Sequence, residues 1–278
     1  MTAGAVVVAI LVLALVPLAP SEELPAELGL LIDGGVQALR AGDLDEAEAA
    51  FRTVIEKGGG VAQVHNNLGI VYQMRGRHER AVAEFREAAR LDPAYPAPQI
   101  LLGASLLALG RVEEATKRLE TAVQLAPGEA LAHQQLARAY ERSGEWAGAA
   151  DQYRTLRRLA PDEPEHLYGL GQAYLRLSET CLRRLHDLHP DSARSHQAQA
   201  HSYRLQGRPD LALEAFERAA QADPTLPEIH LAIAQIHVEQ KRWADARREL
   251  ALERDVVPES AGARALERHL LALEAASR

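Results

Sequence analysis

Glycines recur at Gly42, Gly76, Gly110 and Gly144, each 34 residues after the last, and this interval constrains the fold more than any other feature of the chain. Other residue types keep the same beat. Ala47, Ala81, Ala115 and Ala149 follow each glycine by five residues, and Phe51, Phe85, Leu119 and Tyr153 follow by nine. Prolines close the segments at Pro93, Pro127 and Pro161; the interval then shortens once, to 29 residues at Pro190, and returns to 34 at Pro224 and Pro258. A fixed period of this length marks a repeat array, in which each repeat is one supersecondary unit stacked on its neighbours.

Within a repeat the pattern reads as two helices. In the second, Leu68, Gly69 and Tyr72 fall at helical spacing, Gly76 ends the helix, Ala81, Phe85 and Ala88 restart it, and Pro93 stops it. The order Leu-Gly, Tyr three on, then Ala, Phe and Pro resembles the tetratricopeptide repeat. That resemblance implies an all-α fold, a right-handed superhelical solenoid of helix-turn-helix repeats. On this register seven repeats are expected, at 28–61, 62–95, 96–129, 130–163, a shortened and degenerate 164–192, 193–226 and 227–260. Gly69, Gly103, Ala137, Gly171, Ala200 and Ala234 share one repeat position, where a short side chain lets helices approach closely. Ala81, Ala115, Ala149, Ala212 and Ala246 do the same on the second helix.

Two repeats depart from the pattern. The first has Gly34-Gly35 in place of Leu-Gly and Gly58-Gly59-Gly60 in place of proline, as suits a terminal repeat that caps a stack. The fifth has Leu177-Ser178-Glu179 where the turn glycine should stand, so its two helices are expected either to run together or to meet in an unusual turn. Beyond Pro258, residues 261–278 are expected to form a capping helix over the seventh repeat, with Leu266, Leu270, Leu271 and Leu273 on an amphipathic stretch; a frayed tail is the alternative.

Composition agrees with a thin-layered stack: 47% of residues are hydrophobic but only 4% aromatic, so the core must be built from Ala and Leu. A net charge of -8 with no basic run argues against nucleic acid as a partner. The uncharged, mostly apolar run from Ala3 to Ala19, with small residues at Ala19 and Ser21 and the acidic pair Glu22-Glu23 behind it, reads as a signal peptide over residues 1–21. An uncleaved N-terminal membrane anchor and a buried core helix are the other readings. The first places the repeats in a periplasmic or secreted setting; the second attaches them to a membrane through residues 3–19, outside the cytoplasm.

Residues that carry chemistry are sparse. His65, His133, His196 and His230 occupy one repeat position, where the family has an aromatic, and are read as partly buried rings rather than metal ligands, because ligands must converge on one point. His186 and His189 lie three apart on one helical face. With Cys181 they form the alternative reading, a repeat scaffold that supports a metal or redox site. Cys181 itself is expected to be a small buried hydrophobe. Gly169-Leu170-Gly171 lacks the strand and third glycine of a nucleotide-binding turn, and no serine sits in a nucleophile elbow. The expectation is therefore no catalytic residue, no cofactor, no metal and no small-molecule substrate.

What remains is a surface. The resemblance implies that one face of each first helix lines a concave groove, with the pairs Ile32 and Val36, Asn66 and Ile70, Ile100 and Ala104, Gln134 and Arg138, Tyr168 and Gln172, Gln197 and His201, Leu231 and Gln235. Such a row is apolar early and amide-rich late. The amides could satisfy the backbone of an extended peptide, Arg138 could pair with a carboxylate and Tyr168 could stack. The Lys and Asn with which chaperone adaptors of this family hold a terminal carboxylate are replaced by Ile32 and Val36. The function expected is a non-catalytic scaffold or adaptor for a protein or peptide partner, with homo-oligomerisation through the groove or an open end also open.

Overall fold

The turn glycines act through backbone sign. Gly42, Gly76, Gly110 and Gly144 take φ of +82°, +68°, +75° and +79°, the left-handed conformation that ends a helix at least cost when there is no Cβ. At each, the next residue's amide donates back over the last turn: Asp43 to the Ala38 carbonyl at 2.9 Å, Arg77 to Tyr72 at 2.8 Å, Arg111 to Leu106 at 2.9 Å and Glu145 to Tyr140 at 2.8 Å. The chain reverses there, and the next helix begins two residues on.

The computed structural model describes residues 24–276, and all their regular structure is helical. Fourteen helices follow in order: α1 Ala26–Ala41, α2 Leu44–Glu56, α3 Ala62–Met74, α4 His78–Leu91, α5 Pro96–Ala108, α6 Val112–Leu125, α7 Ala130–Ser143, α8 Trp146–Leu159, α9 Pro164–Leu188, α10 Ala193–Leu205, α11 Pro209–Ala222, α12 Ile229–Glu239, α13 Trp243–Val256 and α14 Ala261–Ala276. The architecture is an all-α helical repeat solenoid. The segment expected to be a signal peptide or anchor, residues 1–21, lies outside the described residues. Among those described, no helix is long and apolar enough to cross a membrane.

The fifth repeat is one helix. Ser178 stands one period after Gly144, and Leu177-Ser178-Glu179 continues helical, so α9 runs on for 25 residues until it meets Pro190. No residue there enters the left-handed conformation, and nothing else terminates the hydrogen-bond ladder.

The chain divides within α9 into two lobes, one ending at Leu177 and the other beginning at Ser178. In the first lobe α1 to α8 pack successively as antiparallel pairs. Phe51, Phe85 and Leu119 are fully buried in its core with Leu102 and Leu106. Each such side chain contributes about 2 kcal/mol by leaving water. The start of α9 packs on α8 through Ala149, Ala150, Leu170 and Ala173, with Tyr140 and Tyr153 alongside. In the second lobe α10 to α13 form two pairs; α10, α11 and α12 pack around Phe216, Ile229, Ile233 and Ile236. There α14 is helical through Ala276 and buries Ala263 and Leu270 against Ala234, Ala246 and Leu250.

The close-approach position behaves differently in the two kinds of repeat. A Cβ at Gly69 would lie 2.6 Å from the Phe85 ring, and one at Gly103 would lie 2.4 Å from Leu119, so both sites require glycine. Gly171 was expected to match them, but a Cβ there would meet nothing within 4 Å. The reason is that α9 never turns back, so no second helix lies over Gly171. Its neighbour Gly169 takes a close contact instead, against Tyr153 of α8, where a Cβ would fall 2.4 Å from the ring.

Candidate functional site

An open cleft in the first lobe lies between the facing sides of α5 and α7. Its walls are Ala104, Leu107 and Ala108 from α5 and Gln135, Arg138, Glu141 and Arg142 from α7. The three-and-four spacing puts these residues on one stripe of each helix. Two of its four polar side chains, Glu141 and Arg142, are already engaged. Arg142 donates through Nη1 to the Leu107 carbonyl, bridging the two walls. Glu141 accepts from the Tyr153 hydroxyl at 2.8 Å. Burial, together with that bond, pushes the Tyr153 phenol above its ordinary value. Tyr140 donates to Glu120 Oε1 at 2.9 Å, and burial first and then that carboxylate push its phenol up to about 12. Arg138 is exposed and makes no hydrogen bond or ion pair among the described residues. The cleft therefore presents one available guanidinium, planar and permanently charged, beside the half-buried Ala104 and the exposed Ala108.

The other groove residues read from the sequence fall into three groups. Ile32, Asn66, Ile70 and Ile100 are at most 5% exposed, and Gln197 is also buried, so these five offer nothing for a ligand to touch. Val36, Gln134 and Gln235 are half-buried, while Arg138, Tyr168, Gln172 and His201 are exposed. Two of the amides are occupied: Gln197 Oε1 accepts from Arg194 at 2.8 Å and Gln235 Oε1 accepts from Arg204 at 2.9 Å. His201 packs edge-on against Phe216 with ring centroids 5.2 Å apart. Within the first lobe the structure brings Arg138 together with Leu107, Glu141 and Arg142, which sequence reasoning did not single out. Their signal was present, since Leu107 and Glu141 lie three residues beyond Ala104 and Arg138 on the same helical stripe.

The repeat-position histidines have a structural partner. His65 Nδ1 donates to Glu84 at 2.7 Å and His230 Nδ1 to Glu249 at 2.8 Å, while His133 Nδ1 meets the Gln152 side-chain amide at 2.8 Å. Each pair spans 19 residues and ties the first helix of a repeat to its own second helix. His196 has Ala215 at that distance along the chain and lacks this clasp.

Around the alternative metal or redox site, His186 Nδ1 lies 3.1 Å from Ser195 Oγ, and no three His, Cys, Asp or Glu side chains among the described residues converge as ligands. Cys181, expected to be buried, is exposed. The missing second helix of the fifth repeat again accounts for this.

Comparison with known proteins agrees with the repeat geometry. Tetratricopeptide repeat families match residues 33–96 and 176–227 in one case, and residues 73–134, 106–173 and 203–270 in another. A TPR repeat-containing thioredoxin, TTL4, of Arabidopsis thaliana is 42% identical over 77 residues, covering 28% of this chain and 11% of that protein. The small glutamine-rich tetratricopeptide repeat-containing protein 2 of Mycosarcoma maydis is 26% identical over 122 residues, covering 44% of this chain and 35% of that one. The chain thus spans about a third or less of these relatives' lengths. Among solved structures, a tetratricopeptide repeat protein from Parabacteroides merdae superposes with a TM-score of 0.49 at 15% identity, over 89% of this chain and all of that one. The spacing of turn glycines, the paired helices and the matched families agree, and the chain belongs to the tetratricopeptide repeat family.

Proposed function

We propose that this protein is a non-catalytic interaction scaffold that holds an extended segment of a partner protein in the α5–α7 cleft, with an acidic group of that segment paired to Arg138. The observation that carries this reading is Arg138 itself, an exposed guanidinium on a cleft where Glu141 and Arg142 are already engaged. A carboxylate there would gain a charge-assisted, two-pronged pairing, while the exposed Ala108 takes up an apolar neighbour. Protein binding is also what the family's stacked helix pairs serve as a class. The apolar run from Ala3 to Ala19 and the small residues before Glu22 support export from the cytoplasm, with the repeats working beyond the membrane.

Affinity capture from the native organism, with wild type beside Arg138→Glu, tests the cleft. A partner retained by wild type should fall at least tenfold with Arg138→Glu at an unchanged melting temperature, and equal retention would remove the cleft from the reading. N-terminal sequencing of the mature protein tests export: a chain beginning near Glu22 supports cleavage, and an intact Met1 in the cytosolic fraction refutes export.

A further inference from the structure

The first half of α9 keeps the residues of a first helix but lacks the helix they should hold. Leu170, Gly171 and Tyr174 repeat the Leu68, Gly69 and Tyr72 of the second repeat. Their surroundings are opposite. Tyr72 is 6% exposed and Tyr174 is 47% exposed, with Leu167, Tyr168 and Leu175 all more than half exposed beside it. These residues and Gly171 form an apolar stripe on the side of the helix away from Leu170 and Ala173, which are buried against α8. All of it lies within the first lobe.

The chain itself displays what covers such a stripe. At Gly35, Gly69 and Gly103 the large side chain of the following antiparallel helix (Phe51, Phe85 or Leu119) sits where a Cβ would be, 2.9, 2.6 and 2.4 Å away. Those covering helices share a pattern: a large apolar residue with Ala four before it, as in Ala47-Phe51, Ala81-Phe85 and Ala115-Leu119, and a small or branched residue three after it. The socket at Gly171 is the same backbone feature with nothing in it.

We infer that this face docks one amphipathic helix of another protein, antiparallel to α9, with a Phe, Leu or Tyr seated on Gly171 and small residues four before and three after it. The interface continues the first-helix to second-helix contact that recurs in the preceding repeats. Charge specifies the partner further. Asp162, Glu163 and Glu165 are exposed beside the start of α9, where an antiparallel helix would end, so its last turn carries Lys or Arg, which its own dipole also favours. Among the described residues none of the helices with this pattern is free: Phe51, Phe85, Leu119 and Phe216 are fully buried, Leu250 is 1% exposed, and Tyr153 is packed on Gly169. From the described residues, a second copy would have to unpack a repeat to supply one.

The probe is a stapled, fluorescently labelled peptide of residues 78–91, the α4 sequence with Ala81, Phe85 and a basic Arg90 in its last turn. Stapling is needed because an isolated helix of this length is marginal in water. Anisotropy titrations use the full chain, Gly171→Leu and Arg138→Glu. Saturable binding is expected for wild type and Arg138→Glu alike. It should weaken at least tenfold for Gly171→Leu, and for a peptide carrying Phe85→Ala. A Leu at position 171 enters open space, and a melting temperature no lower than that of wild type certifies that the variant folds. Failure of the peptide to bind wild type, or equal binding to Gly171→Leu, overturns the proposal. So does a dimer, seen by sedimentation, that Gly171→Leu dissolves while the peptide has no effect, because the occupant would then be a second copy. The Arg138→Glu arm keeps this result separate from the fate of the cleft.

Discussion

Gly69 and Gly171 hold the same place in their repeats, follow the same leucine and precede the same tyrosine, yet one is enclosed and the other faces open space. The difference arises seven residues beyond each. After Gly69 the chain reaches Gly76, reverses and lays Phe85 back over the glycine; after Gly171 it reaches Ser178 and keeps going. A signature residue on a first helix is thus satisfied only if the turn after it is made. The second repeat buries its tyrosine, whereas α9 leaves Tyr174 and its neighbours uncovered.

The largest effect should come from the face α9 does bury. Ala149 is fully buried on α8 in the cluster with Leu170 and Ala173. Ala149→Asp places an unpaired charge there and should cost about 4 kcal/mol or more. A melting curve unchanged from wild type would break the assigned packing.

The sharpest contrast comes from paired glycine substitutions. Gly69→Leu should destabilise the first lobe by about 3 kcal/mol, because even its Cβ collides with the Phe85 ring. Gly171→Ala should instead raise stability by roughly 0.5 to 1 kcal/mol, since it removes a glycine from a helix interior where the added methyl meets nothing. Denaturant midpoints that moved in the same direction for both would erase the comparison.

A smaller effect is expected at the turn between α12 and α13, which reverses within its repeat without glycine. Lys241 stands one period after Gly207 and takes φ of +60°, the conformation that costs a side chain most. Lys241→Gly should stabilise the second lobe by about 1 kcal/mol, read as a higher denaturant midpoint. A loss would mean that the lysine side chain contributes more than its backbone strain costs.

The smallest effect is a pH dependence. His237 is 5% exposed, its Nδ1 has no partner, and burial first, then Arg242, hold its pKa below the ordinary value, with Arg248 acting in the same direction and Asp245 and Glu249 opposing. The unfolded chain therefore takes up that proton at higher pH than the folded one. The stability contributed by the neutral ring is complete above the unfolded value and is lost as pH falls below it. Replacing the ring by His237→Gln should flatten the decline in second-lobe stability between about pH 7 and about pH 5. Identical slopes would assign the decline to other groups.

Much of the fold could be read in the sequence because its determinants are local. A glycine that must take positive φ, a proline that cannot continue a helix and an alanine at each crossing are all properties of single positions. The close contacts at Gly69 and Gly103 follow from the same register. Less of the candidate site was legible. Ile32, Asn66, Ile70 and Ile100 lie on the helical stripe the pattern assigned to the groove, but direction from a helix axis says nothing of how closely neighbouring helices stand, and these side chains are buried. Arg138, which the pattern also placed on that stripe, is exposed; that Glu141 and Arg142 would be taken by Tyr153 and the Leu107 carbonyl depends on contacts between helices.

By itself, then, the amino-acid order determined the period, the helix pairs, the left-handed turns and the absence of a turn glycine in the fifth repeat, each through the conformational preference of residues at fixed spacing. Only the tertiary structure decided that α9 would run unbroken, that Gly171 and Cys181 would lie uncovered, and that one arginine of the α5–α7 cleft would keep its charge available. Those outcomes turn on which helix packs against which, and burial is a property of the neighbour as much as of the residue.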